Sequence, residues 1–234
     1  MNTLRLVLAT LLIVSTADAQ VILFGKKKES TSTPSYLLSE KFEGTGTPSG
    51  WTPTGTFDFD NSTNPLAGTQ DFRMADASST VDTVAWAGQS DIFIAFMLYT
   101  DVAPGSLANI GYFYDAGDAQ VARLSFTSGA TTLRGLAIGG TISSSTANSV
   151  STVAGTGTPV KMRYQKGTGA NATVTVWVAS GGAWGTGVSS SDGTATSDAT
   201  YFRFNNTASY NINPQYDNVI VSSSDIAVAE VTGL

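Results

Sequence analysis

Between residues 36 and 224 apolar side chains recur with a period of two, in short runs separated by turn residues, which is the signature of β-strands. Asp91-Ile92-Phe93-Ile94-Ala95-Phe96-Met97-Leu98-Tyr99 is apolar throughout and reads as a central strand covered on both sides. Asn109–Tyr114 and Gln120–Phe126 are strand-like runs joined by the turn sequence Asp115-Ala116-Gly117-Asp118, and Thr132–Ile138 follows. Val160-Lys161-Met162-Arg163-Tyr164-Gln165-Lys166 alternates cleanly, with its cations and Gln165 on one face. The loop Gly167-Thr168-Gly169-Ala170-Asn171 then returns the chain into Thr173–Val178, the clearest hairpin in the sequence. Ala199–Asn205 and Tyr216–Val221 complete the series. Beyond the N-terminus no segment has a 3.6-residue period, and no fixed-length repeat recurs. The pattern predicts an all-β antiparallel sandwich or barrel in one domain.

The first residues follow a different pattern. Met1–Arg5 is short and positively charged, Leu6–Thr16 is apolar, and Ala17-Asp18-Ala19 fits a signal-peptidase site. Residues 1–19 therefore read as a secretory signal peptide cleaved before Gln20, and the expected location is secreted, extracellular. The alternative is a retained anchor continued by Val21-Ile22-Leu23-Phe24, against which Asp18 counts, since a carboxylate inside such a span is costly. Residues 20–35 include Lys26-Lys27-Lys28 and a Ser/Thr/Pro stretch and read as a linker; 225–234 is expected to be a C-terminal tail.

Composition narrows the chemistry. Only 13% of residues are charged, and the chain of 234 residues has neither His nor Cys. That removes Ser-His-Asp and Cys-His catalysis, disulfides and the usual zinc ligands. Any metal site would use oxygen ligands, which favours Ca²⁺. From residue 36 onward eight basic residues face sixteen acidic ones, a net charge of −8, which disfavours nucleic acid and anionic membranes as partners.

Leu38-Ser39-Glu40-Lys41-Phe42-Glu43-Gly44, Pro48-Ser49-Gly50-Trp51, Pro65-Leu66-Ala67-Gly68 before Phe72-Arg73-Met74, and the closing Tyr216-Asp217-Asn218-Val219-Ile220-Val221 resemble the concanavalin A-like lectin/glucanase superfamily in its laminin-G-like variants. Carbohydrate-binding modules of the galactose-binding-like jelly roll share the opening Phe-Glu and Gly-Trp. The resemblance implies a single jelly-roll sandwich over residues 36–224, whose first and last strands close on each other. It also implies a structural Ca²⁺ tying those strands, with Glu43 and Asp217 at the matching positions; the plainer reading is two rim carboxylates. Glycan-cleaving members carry Glu-x-Asp-x-Glu on one strand, and this chain has no such run.

The nearest acidic substitute is Asp58-Phe59-Asp60, whose carboxylates share a strand face with Cα atoms about 7 Å apart. With Asn61, Ser62 and Asn64 behind them they read as a solvated face, a ligand or cation contact, or a catalytic pair. For stacking on sugar rings the sequence offers Trp184, on the glycine-rich loop Gly181–Gly187, then Tyr112 and Tyr114 on one strand face. Trp177, within an alternating strand, reads as core, and Trp51 and Trp86 fit burial. Asn61, Asn171 and Asn205 begin Asn-x-Ser/Thr sequons. These features converge on a secreted, non-catalytic carbohydrate-binding or adhesion module whose partner is a glycan or cell-surface polysaccharide. The alternatives are a self-assembling subunit of an extracellular filament, surface layer or virion appendage, and a glycoside hydrolase or lyase using Asp58 and Asp60.

Overall fold

The structure, a computed structural model, describes residues 35–75, 78–141, 147–206 and 212–233. The expected signal peptide and all but the last residue of the linker lie outside the described residues. Residues from Tyr36 onward form one compact unit, an antiparallel β-sandwich of jelly-roll type. The larger sheet has nine strands. They are β1 (Leu38–Glu40), β3 (Asp58–Asn61), β4 (Asp71–Arg73), β6 (Asp91–Tyr99), β10 (Thr158–Gln165), β11 (Ala172–Ser180), β12 (Ala183–Trp184), β13 (Val188–Gly193) and β15 (Gln215–Ser222). Its path runs β12-β11-β10-β6-β15-β4-β3, with β13 also on β11 and β1 also on β15. The smaller sheet has six, in the order β2 (Thr52–Thr54), β5 (Ser79–Asp82), β14 (Tyr201–Asn206), β7 (Ala108–Tyr114), β8 (Gln120–Phe126) and β9 (Leu133–Ala137).

Every run read as a strand from its alternation is one. β6 is buried at all positions after Asp91, as an apolar strand in mid-sheet must be. The first and last strands close as expected: Leu38, Ser39 and Glu40 pair with Val221, Ile220 and Val219. The core between the sheets is dominated by aromatic rings. Phe204 of the small sheet lies 4.5 Å from Tyr216, 5.6 Å from Phe96 and 6.0 Å from Phe72, centroid to centroid, all three on the large sheet. Phe42 and Phe59 extend the cluster at 5.6 Å and 4.7 Å from Phe72, and Trp51 stacks on Phe204. Trp51 is buried and Trp86 half-buried, its indole N–H donating to the Ala199 carbonyl.

Two expectations are overturned together. The chain after Ser224 is not a tail: it packs on the outer face of the large sheet and ends in a short helix, α1 (Val228–Thr232). Ile226 and Val231 are buried there against Leu66, Phe93, Ala95, Met97, Tyr99 and Ile220. The physical reason is the apolar outer face of β6, which must be covered. Trp177 is not core either. Val174, Val176 and Val178 point inward, so Trp177 lies on the outer face, half-buried under this segment.

Lys161 explains how the cover is fastened. It is 2% exposed, and its ammonium sits 4.7 Å from the ring centroids of both Trp177 and Trp184 and 5.9 Å from that of Phe93. It donates to Asp225 at 2.6 Å and to the Ile226 carbonyl at 3.3 Å. Truncation after Ser224 would leave a buried ammonium without its carboxylate and expose an apolar sheet face. It is therefore expected to lower Tm in a thermal melt by about 5 °C or more and to create binding of a hydrophobic dye. An unchanged melt would mean that the segment is not part of the fold.

Candidate functional site

Four places in the fold hold the residues that the sequence singled out. The first is the closure of the sandwich. Phe42 has φ +56°, a conformation that side chains rarely adopt, and it sends its own ring into the core while Glu43 turns outward. A bulge in β15 sets Asp217 against Met97 and Ile220 against Ala95, with Asn218 at φ +49° in between. The two carboxylates are thereby brought to the same loop, 66–69. Asp217 accepts from the Ala67 N–H at 2.9 Å, and Glu43 accepts from the Thr69 N–H at 2.8 Å and from the Thr69 hydroxyl. Gly68, at φ +56°, admits this because a Cβ there would overlap the Glu43 carboxylate.

Sequence reading missed the third member, Asp71 on β4. It is fully buried and accepts from the Asn61 side chain and, at 3.2 Å, from the Leu66 N–H. Its only signal was its place beside Phe72, at the start of the short strand Asp71-Phe72-Arg73. Neither Asp71 nor Asp217 forms an ion pair among the described residues. Burial pushes Asp217 up to about 7 and Asp71 to about 6; amide donors pull both back in part, and Asp71 and Glu43 raise Asp217 further by their charge. Glu43 lies below its ordinary range because Thr69 donates to it twice. The three carboxylates are oxygen donors, two of them buried and none in an ion pair among the described residues, which is the chemistry a hard divalent cation would ask for. Among the described residues no three acidic side chains already stand within common reach of a metal, because the carboxylates hold loop amides instead.

The second place is the outer face of the small sheet. Tyr112 and Tyr114 share it, ring centroids 6.0 Å apart. Tyr114 is buried, stacked on Tyr201 at 5.0 Å and 3°, and topped by the Arg203 guanidinium at 4.6 Å. Arg203 is held in a two-pronged pair with Asp82, at 2.5 and 2.7 Å. Tyr112 is half-buried, between Arg203 on β14 and Arg123 on β8. Half-buried Asn109 lies three residues before it on β7, its side chain accepting from the buried Ser125 hydroxyl and its carbonyl from the buried Asn205 amide.

The third is a polar cleft of about 460 Å³ at one end of the sandwich, lined among others by Asp115, Lys166, Ser197, Asp198 and Thr200. Lys166 pairs with Asp198 at 2.6 Å, and Asp115 is held by the Gly117 and Ala119 N–H groups of the β7–β8 turn.

The fourth corrects an expectation. Trp184 is not a free platform on a flexible loop: it lies in β12, half-buried, its indole N–H donating to the Ile226 carbonyl at 2.7 Å and Lys161 over its ring. The segment read as a tail supplies the partners that fix it. Asp58 and Asp60 do share an exposed face of β3, but their carboxylates are tied to the Asp60 and Gly46 N–H groups. Of the sequons, Asn61 and Asn205 are buried and Asn171 is exposed.

No family model matches this chain, and no curated protein matches it either. Among solved structures the fold is similar to the cellulose-induced protein Cip1, at 15% identity over 81% of this chain and 99% of that one, TM-score 0.58. It is similar to an endo-β-1,4-glucuronan lyase from the fungus Trichoderma reesei, at 15% identity over 84% and 98%, TM-score 0.54. The receptor-binding domain of botulinum neurotoxin type G matches at 10% identity over 85% of this chain and 50% of that one, TM-score 0.54. At these identities the likeness is one of fold.

With no His and no Cys, Asp71 and Asp217 are the side chains of the described domain placed to titrate between pH 5 and 8. Both are raised on folding, so the stability they contribute is fully present below the ordinary carboxylate range and is lost as pH rises through 6 and 7. In excess chelator, Tm is expected to fall by several degrees from pH 4.5 to 8, at about 2–4 °C per kcal/mol for a domain of this size, and Asp217→Asn to flatten the decline. A chelated protein whose melt is indifferent to pH across that span contradicts the assignment.

Proposed function

We propose that the protein is a secreted, non-catalytic carbohydrate-binding module of concanavalin A-like type, closed by a structural Ca²⁺ and presenting the outer face of its six-stranded sheet to a glycan. The observation that carries this reading is Tyr112: a partly exposed ring on the outer sheet face, flanked by guanidinium groups and by the half-buried amide of Asn109. A pyranose ring asks for that combination, an apolar face to stack on and fixed hydrogen-bonding groups around it. Tyr114 and Tyr201 serve from beneath, holding Arg203 and the local sheet in one geometry. The fold likeness to a cellulose-induced protein and to a lyase named for glucuronan is in keeping with a glycan partner. Asp58 and Asp60 receive no catalytic role, since each carboxylate is engaged with nearby backbone.

In the Ca²⁺ part of the proposal, Glu43 and Asp217 supply carboxylate oxygens and Asp71 the neighbouring negative charge. A cation there would neutralise buried carboxylates and lock the first strand, the 66–69 loop and the last strand together. Excess Ca²⁺ is expected to raise Tm at pH 7.5 by several degrees over chelator, and Asp217→Asn to abolish the gain. No stabilisation by Ca²⁺ rejects the clasp.

For the glycan, affinity electrophoresis against a panel of neutral and acidic polysaccharides should show retardation by at least one. Tyr112→Ala is expected to weaken it about tenfold with the melt unchanged, and Tyr112→Phe to retain it. Mobility unaffected by every polysaccharide overturns the proposed function.

A further inference from the structure

Basic side chains are scarce in this domain, and most are already paired. Arg73 pairs with Asp101, Lys161 with Asp225, Arg163 with Asp91, Lys166 with Asp198 and Arg203 with Asp82. Arg123 and Arg134 are different. Both are half-buried on the outer face of the small sheet, and among the described residues neither meets a carboxylate or donates a hydrogen bond. The Nε of Arg134 is shut off from solvent with no acceptor. A guanidinium presents five donors, and leaving a buried one unmet costs about 1–3 kcal/mol. In a domain with sixteen carboxylates and eight cations, two unpaired arginines side by side are an exception that invites a partner from outside.

Their placement is regular. Arg123 stands directly opposite Tyr112 on β7 and Leu136 on β9, and Arg134 opposite Ser125, two residues further along β8. The two arginines are thus diagonal neighbours on one face, about 7–8 Å apart by sheet geometry. The six strands of this sheet carry a single carboxylate, Asp82, which Arg203 already occupies with both prongs. The strands of this face therefore carry two cations in excess, Arg123 and Arg134, within a domain whose net charge is −8, while the nearby turn carboxylate Asp118 accepts from the Tyr201 hydroxyl at 2.9 Å.

We propose that this face selects an anionic polysaccharide of the uronate type, with Tyr112 under a sugar ring and carboxylates of the chain meeting Arg123 and Arg134. The inference rests on the glycan-binding reading above and specifies its ligand class. Arginine suits the task because its planar fork matches a carboxylate with two parallel hydrogen bonds. The surrounding negative charge of the domain sharpens the choice, since a polyanion lying anywhere else on it is repelled.

The test compares the full chain against polygalacturonate, the same polymer after carboxyl reduction, and single-stranded DNA as a polyanion without sugar carboxylates. Expected are binding to polygalacturonate about tenfold tighter than to the reduced polymer at low salt, weakening as NaCl rises, and little binding to DNA. Arg123→Gln and Arg134→Gln should each reduce affinity for polygalacturonate several-fold, and together remove the preference, with an unchanged melt as the control for folding. Equal binding of the reduced polymer, lost in Tyr112→Ala but kept in the arginine variants, overturns the anionic specificity while leaving the glycan-binding reading intact. DNA bound as tightly as polygalacturonate overturns it in favour of simple polyanion attraction. Retardation by none of the polysaccharides, here or in the wider panel, overturns both readings.

Discussion

The structure depends on the last strand being buried along its whole length while carrying a carboxylate and an amide in its middle. β15 pairs with β6 on one side and with β4 and β1 on the other, so every residue from Gln215 to Ser222 is enclosed. Asp217 and Asn218 cannot be left unmet there without a cost of several kcal/mol. The bulge resolves this. It turns Asp217 toward the 66–69 loop and Asn218 toward the Val231 carbonyl, so the two polar side chains fasten a loop and the terminal helix to the strand. The inverted backbone at Phe42 is the counterpart on the other strand, since it lets one residue fill the aromatic core and the next reach the same loop.

Much of this was legible in the sequence, and the reason is periodicity. β11 buries side chains every second residue and β6 is apolar after Asp91, and local patterns of that kind survive any long-range arrangement. The closure of β1 on β15 was legible for a different reason: the resemblance of both end segments to one family of sandwiches. What could not be read locally was what covers what. Trp177 sits in a strand with apolar residues at successive positions, and alternation alone does not say which face is inside. Trp184 looked free because its partner, the Ile226 carbonyl, arrives 42 residues later in a segment with no strand pattern. Lys161 was read as one cation of a strand face shared with Arg163 and Gln165, and only the fold brings Trp177, Trp184 and Asp225 around it.

The same distinction separates the two carboxylate sites. Asp58 and Asp60 advertised themselves by spacing, and the fold engages them with main-chain N–H groups, those of Asp60 and Gly46. Asp71 made no motif, yet it is the buried charge that the closure must accommodate, because the β3–β4 hairpin carries it beneath Leu66. Burial, which the sequence does not display, decides which acidic residue has an unusual free energy.

The two faces of the sandwich are consequently unequal in what they leave for a partner. The outer face of the large sheet is apolar at Phe93, Ala95, Met97 and Tyr99, and the chain spends its last residues covering it. Its cations are matched within the fold, Lys161 by Asp225 and Arg163 by Asp91. The outer face of the small sheet receives no such cover from this terminal segment. It keeps Tyr112 partly exposed and leaves Arg123 and Arg134 without carboxylate partners among the described residues, although acidic residues outnumber basic ones two to one in the domain. Two half-buried guanidinium groups side by side without carboxylates thus set this face apart from the covered one, and the proposed ligand would meet them there.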